Sequence, residues 1–337
     1  MSKTQNSSLV NVGLWKNAPF KYAVATCVEK LNDFLAKTNL PLRYNIDYLN
    51  PKELSHNCPD ILFLDGGEDV NPAMYGEINR YSHFSPARDA AETTLLEWFV
   101  FHKKRISGVC RGHQLINVFF GGSLFQDIRL DFKDLINRTI CHPSPHRVSV
   151  TDWCKRRASS SSLTRFIGEN RFDVSSMHHQ AIRGLAHPLR GTLLWINEIN
   201  EKRYDPLIEG IESKCGKYRG VQSHPEFRGH NKDGLLFSYL MHIDHFITPF
   251  LEEVDSEHLE SLLSGTIEKK ENTKYSTASN NDDRSPRFSS NEGYRITSTP
   301  RPTRLPEPLL MRQGEGVIEQ TEGIIERIIE DHDDSED

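Results

Sequence analysis

The stretch Arg105-Ile-Ser-Gly-Val-Cys-Arg-Gly-His-Gln-Leu-Ile-Asn-Val-Phe-Phe-Gly-Gly limits what this chain can fold into more than any other. An apolar strand enters a Gly-x-Cys-x-Gly turn there and leaves it as an apolar helix. Such an elbow crowds the backbone, and Gly108 and Gly112, without Cβ atoms, relieve the crowding on either side of Cys110. The turn projects its central side chain. The helix that follows aims unpaired N–H groups and its positive dipole end at the sulfur, which favours the thiolate. Cys110 therefore reads as a nucleophile rather than as the small buried hydrophobe that a lone cysteine on an apolar strand would be.

A nucleophilic thiol needs a base and a group that orients the base, and neither has to be near in sequence. Tyr218-Arg-Gly-Val-Gln-Ser-His-Pro-Glu-Phe supplies both. A short apolar strand ends at His224, and Pro225 turns the chain so that Glu226 can fold back beside the imidazole. A carboxylate on one ring nitrogen fixes the tautomer and supports the imidazolium formed when the other nitrogen takes a proton. Cys110, His224 and Glu226 read as a triad.

The segments GVCRGHQ, GGSLFQD and GVQSHPEF together resemble the class I glutamine amidotransferase-like superfamily and, within it, the gamma-glutamyl hydrolase group, peptidase family C26. Leu64-Asp-Gly-Gly-Glu-Asp-Val-Asn-Pro-Ala-Met-Tyr-Gly-Glu is similar to the GGxDVxPxxYGE segment of the gamma-glutamyl-gamma-aminobutyrate hydrolase-like branch. Arg88-Asp-Ala-Ala-Glu resembles that branch's RDxxE helix start, and Ser176-Met-His-His-Gln its SxHHQ segment. The resemblance covers residues 8 to 250 or so. It departs from the pattern at Ser223, where the family often carries tryptophan, and at Ser175, where the branch has asparagine. Both changes bear on the width and polarity of the pocket, so the leaving amine stays unnamed.

The resemblance implies roles for further residues. Backbone N–H groups of Arg111, at the helix start, and of Gly67, in the Asp65-Gly-Gly-Glu turn, would form an oxyanion hole. Gln114, one helical turn after the nucleophile, would contact the glutamyl portion of a substrate. His178, His179 and Gln180 would line the pocket. The Arg111 side chain has two readings, a bidentate partner for a substrate carboxylate or a structural salt bridge. No metal is expected: adjacent histidines on a strand point to opposite faces, and the elbow already accounts for the His224 and Glu226 of a zinc site that would add His178. No cofactor is expected either.

Composition narrows the setting. A net charge of −6 and a pI near 6.2 give no reason to expect nucleic-acid binding. Six irregularly spaced cysteines, with no CxxC pair, form neither a disulfide framework nor a zinc motif, so reduced thiols and a cytoplasmic location are expected. The amino terminus lacks the apolar core of a signal peptide, and no stretch approaches the ~20 apolar residues of a membrane span. Asn137-Arg-Thr is then a chance glycosylation pattern.

Apolar runs alternate with helical patterns as in a doubly wound, mostly parallel α/β sheet occupying 1–250 as one unit, and the resemblance implies its flavodoxin-like form. Strands are expected at Leu9–Trp15, Leu42–Leu49, Ile61–Leu64 and Ile106–Val109, with helices at Tyr22–Thr38 and Ala87–Lys104. The middle is β-rich: His146–Thr151, Phe172–Ser175, Thr192–Ile196, Ile208–Glu212 and Tyr218–Gln222. One closing helix is expected over Asp233–Phe246. Ser85-Pro86 caps a helix whose first turn carries Asp89 and Glu92. Residues 251–308 are charged, then rich in Ser, Thr and Pro, and read as a disordered linker. In 309–337, Val317, Ile318, Thr321, Ile324, Ile325, Ile328 and Ile329 share a helix face before an acidic end. That face packs on its own domain or docks a protein partner.

The expected activity is cleavage of a small-molecule gamma-glutamyl amide through a glutamyl thioester, releasing glutamate. Two alternatives come from other classes: a glutaminase component handing ammonia to a partner synthetase docked on the terminal helix, and a binding protein that kept the fold without catalysis. Oligomeric state is open, with a dimer as one alternative.

Overall fold

The computed structural model describes residues 8–38, 40–131, 145–151, 154, 163, 167–195, 198–199, 202–203 and 207–247. The expected linker, the isoleucine-faced helix and Asn137-Arg-Thr lie outside the described residues.

The first half of the chain alternates strand and helix: β1 (Ser8–Trp15), α1 (Lys21–Lys37), β2 (Leu42–Leu49), β3 (Ile61–Leu64), α2 (Pro86–Phe101), β4 (Arg105–Val109) and α3 (Arg111–Phe119). Shorter strands follow: β5 (Ser123–Phe125), β6 (His146–Val150), β7 (Arg171–Val174), β8 (Ala181–Gly184), β9 (Leu189–Trp195), β10 (Glu198–Ile199), β11 (Lys202–Arg203), β12 (Leu207–Ser213) and β13 (Tyr218–Val221). Helices α4 (Asp233–Leu240) and α5 (Ile243–Ile247) come last. One mixed sheet runs β2-β1-β3-β4-β13-β12-β9-β6-β7. From β2 to β13 the neighbours are parallel, and from β13 to β7 they are antiparallel.

Two apolar layers sandwich the sheet. On one face Val24, Leu31 and Leu35 of α1 and Leu236 and Leu240 of α4 pack with Val10, Val12 and Leu14 of β1. On the other, Leu95 and Phe99 of α2 and Leu115 and Ile116 of α3 pack with Leu62, Leu64 and Ile106. β3 is buried at all its positions, the continuous apolar run demanded of a strand covered on both faces. Ser85 caps α2 as its sequence indicates, accepting from the Arg88 N–H with Pro86 beside it. Among the described residues, no helix is long and apolar enough to cross a membrane.

The structure corrects three expectations. The closing helix is two helices, because three successive carbonyls at the end of α4 are taken by side chains from the sheet. Arg219 bonds Tyr239 O at 2.8 Å, Ser107 bonds Leu240 O at 2.5 Å and Tyr44 bonds Met241 O at 3.0 Å. His242 then adopts a left-handed φ of 52°, which ends the run. Second, His178 and His179 lie in irregular chain between β7 and β8 rather than on a strand. Third, the five strands expected in the middle of the chain are not all that the sheet contains: β5 and β8, at three and four residues, carry no clear periodic signal, yet they pair with each other, and β8 joins β12.

Candidate active site

Parallel strands β3, β4 and β13 are adjacent, so their carboxyl ends converge, with Leu64 opposite Gly108 and Val109 opposite Val221. Three loops leave from there: Asp65-Gly66-Gly67 after β3, Cys110 after β4, and Gln222-Ser223-His224 after β13. This is the edge where open α/β sheets place their chemistry.

Cys110 sits at the elbow with φ 49° and ψ −106°, a strained backbone for a residue with a Cβ. Its N–H bonds Val221 O at 2.9 Å, which fastens the nucleophile's backbone to β13. The flanking glycines are explained by close approach: a Cβ on Gly112 would lie 2.3 Å from Leu64 O, and one on Gly108 2.5 Å from the Gly112 carbonyl carbon. Helix α3 thus starts pressed against β3 and β4, with Arg111 as its first residue. Its first-turn N–H groups have no partner within the helix.

His224 Nδ1 lies 2.7 Å from Glu226 Oε1, both side chains being almost fully buried. Pro225-Glu226-Phe227 forms a single 3-10 turn, which brings the carboxylate back beside the ring. Burial alone would depress the imidazole's proton affinity; hydrogen bonding and charge from Cys110 and Glu226 overcome it and push the pKa up to about 10. The Phe227 ring stacks on the imidazole at 5.1 Å and 24°, and Phe20 meets it edge-on at 5.9 Å. Gly66 approaches from the other wall, since a Cβ there would lie 2.5 Å from His224 Cε1.

Beside these loops lies a buried charge network. Arg88 bonds Asp65 Oδ1 at 2.8 Å, the Gly66 carbonyl at 2.8 Å and Glu92 Oε1 at 2.9 Å. Arg111 bonds Asp89 Oδ1 at 2.5 Å and the second oxygen of Glu92. The Arg111 guanidinium, 1% exposed, is therefore a structural ion pair rather than a free carboxylate receptor. Burial outweighs the Arg88 charge at Asp65, pushing its pKa up to about 6.

The remaining predicted residues separate. Gln114 is 3% exposed and its amide donates to Gln180 O at 3.2 Å and Gln222 Oε1 at 3.1 Å. Gln180 is buried too, donating to Ser82 Oγ at 2.7 Å and Gln126 O at 3.3 Å. His178 Nδ1 lies 2.8 Å from Gln180 O, with Nε2 3.6 Å from Glu209. His179 alone of this trio is open, 46% exposed, 3.0 Å from Asp69 Oδ1. Gly67 is exposed at the turn, with φ 132°. Sequence reasoning placed Asp89 and Glu92 at a helix dipole and gave Arg88 no role. The missed signal is an arginine in a first helical turn, where a cation opposes the dipole and needs another reason to be there.

Residues 21–226 match the family model described as Peptidase C26. Among curated proteins, the chain is 37% identical over 171 residues to a Schizosaccharomyces pombe protein whose name assigns it provisionally to the glutamine amidotransferases, covering 50% of this chain and 62% of that one. It is 36% identical over 172 residues to a Lactococcus lactis protein named, again provisionally, as glutamine amidotransferase-like, covering 50% of this chain and 66% of that one. The chain thus spans less than two thirds of the length of these two relatives. It is 24% identical over 241 residues to the gamma-glutamyl-gamma-aminobutyrate hydrolase of Escherichia coli K12, covering 67% of this chain and 89% of that enzyme.

Proposed function

We propose that this chain, which belongs to the peptidase C26 family, is a cysteine hydrolase of gamma-glutamyl amide bonds working through a glutamyl thioester. The reading is carried by one observation: a cysteine in strained backbone at a strand-to-helix elbow, at the end of the strand adjacent to the one that leads into a histidine paired with a buried carboxylate. Attack by the Cys110 thiolate on the amide carbonyl gives a tetrahedral oxyanion received by the N–H groups of Gly67 and Arg111. Its collapse expels the amine, which takes its proton from the His224 imidazolium. A water molecule then gives a proton to His224 and attacks the thioester, releasing glutamate and restoring the Cys110 thiolate beside the His224 imidazolium. Glu226 holds the imidazole throughout. The open side chain of His179, paired with Asp69, is assigned to the side of the cleft that receives the leaving amine.

The test is incubation of the purified protein with gamma-glutamyl-p-nitroanilide and with a panel of gamma-glutamyl amines, followed by acid quench and mass analysis. A glutamyl adduct on the Cys110 peptide is expected, absent from Cys110→Ala. Turnover by Cys110→Ala at equal purity would overturn the proposal. Free glutamine preferred over every gamma-glutamyl amine, with slow ammonia release, would transfer the reading to an ammonia-donating subunit. The thiol chemistry fits a reducing, cytoplasmic setting, in keeping with five free cysteines among the described residues.

A further inference from the structure

We propose that Arg88 is a positioning residue for the oxyanion hole: it sets the peptide that carries the Gly67 donor, and Glu92 couples it to the second donor at Arg111. This rests on Cys110 being the nucleophile, and it goes further by assigning the geometry of the hole to side chains outside it.

Arg88 is 2% exposed, yet it leans on backbone as much as on carboxylates. Its Nη2 donates to the Gly66 carbonyl at 2.8 Å and to the Asp65 carbonyl at 3.3 Å. The Gly66 carbonyl and the Gly67 N–H belong to one planar trans peptide, in which they point in opposite directions. A guanidinium that draws the carbonyl into the interior therefore turns the N–H outward. The chain supports that orientation only with glycine at 67, since φ is 132° and a Cβ would sit 2.3 Å from Arg88 Nη1. The guanidinium thus lies directly under the turn. Its Nη1 is buried without a hydrogen-bond partner among the described residues, the Glu68 carboxylate being 3.9 Å away.

Glu92 completes the device. One of its oxygens takes Arg88 Nε at 2.9 Å and the other takes Arg111 Nη1. A single carboxylate on α2 thereby ties the side chain that sets the Gly67 peptide to the residue whose own N–H is the second donor. Stability alone explains such a network poorly, because buried ion pairs are commonly replaceable by apolar side chains without loss. Fixed geometry explains it better.

The experiment uses the full chain with Arg88→Lys and Glu92→Gln, and it measures two reactions of the same sulfur. Hydrolysis of gamma-glutamyl-p-nitroanilide passes through an oxyanion, whereas alkylation of Cys110 by iodoacetamide does not. Arg88→Lys keeps the charge but cannot reach the carbonyls and Glu92 together, so kcat should fall by about 100-fold with KM changed by less than about threefold, the loss typical of one oxyanion donor. Glu92→Gln should fall by about tenfold, an intermediate loss. In both, the alkylation rate should stay within about twofold of wild type, because SN2 attack makes no demand on the hole. Wild-type kcat in the two variants would overturn the proposal, as would hydrolysis and alkylation falling together, which would mean that the elbow itself had moved. If Arg88→Lys fails to fold, Glu92→Gln decides alone by the same two rates. Should Cys110→Ala remain active, the function itself is wrong, and that result is independent of either variant.

Discussion

The two halves of the sheet obey different rules. In the parallel half, the central strands β3, β4 and β13 are buried nearly throughout, and their carboxyl ends lead into Gly67, Cys110 and His224. In the antiparallel half, the outer strands alternate buried with more open positions, as in Arg171–Val174 and His146–Val150. That half holds buried Glu209, and the chain that carries His178 and Gln180 lies between its strands, but it contributes none of the groups assigned to bond making. The lesson is a division of labour. The strained backbone of Cys110 is kept where adjacent parallel strands brace it, and the longest-range strand pairing, β4 with β13, is the one that brings the thiol and the imidazole together.

The largest break in that comparison comes from Cys110. Cys110→Ala should lose all hydrolysis yet keep its melting temperature, and Cys110→Gly should be equally inactive but stabler by about 1 kcal/mol, because glycine accepts the positive φ that cysteine resists. Chemical denaturation beside an activity assay reads both. A Cys110→Gly protein less stable than wild type would mean that the elbow is not strained. Next in size, His224→Asn should lower kcat by about 10⁴-fold and Glu226→Gln by roughly tenfold less, since the carboxylate orients the base without itself moving the proton.

The pH profile sharpens the same pair. His224 is held protonated well above its ordinary 6.5, up to about 10. Its contribution to folding stability is therefore complete below 6.5 and is lost as pH rises through 10. The plot of kcat/KM against pH should keep its plateau into the alkaline range, with a limb near 10. Glu226→Gln removes one of the causes that raise the imidazole, so its limb should lie at lower pH; an unmoved limb would separate Glu226 from the titration. The smallest effect on catalysis belongs to the antiparallel half. Leu193→Ala, at a position 1% exposed, should cost about 2–5 kcal/mol of stability while kcat per folded molecule stays at the wild-type value.

The parallel half was largely legible in the sequence. β3 is a continuous apolar run ending at Asp65-Gly66-Gly67, β13 leads into His224-Pro225, and β2 and β3 have the bounds that the sequence pattern gave them. The antiparallel half was less so, for physical reasons. β5 and β8 are too short to show a period and exist because each pairs with the other. β12 shifts register at Ile208, Gly210 and Ile211, which no local pattern announces. The break after Leu240 depends on Arg219, Ser107 and Tyr44, distant residues that claim helix carbonyls. At the site, the pairing of Glu226 with His224 could be read from a proline-directed turn, whereas the role of Arg88 required seeing which carbonyls it reaches.

The bond from the Cys110 N–H to Val221 O makes the sheet a ruler. Neighbouring strands lie about 4.8 Å apart whatever their side chains are. The nucleophile stands at the end of one strand and the base just beyond the end of the next, so the gap between sulfur and imidazole is inherited from that fixed lattice rather than from any residue open to substitution. Natural variation or an engineer can therefore exchange the surrounding loops to change what is cleaved and find the cleaving apparatus still in register.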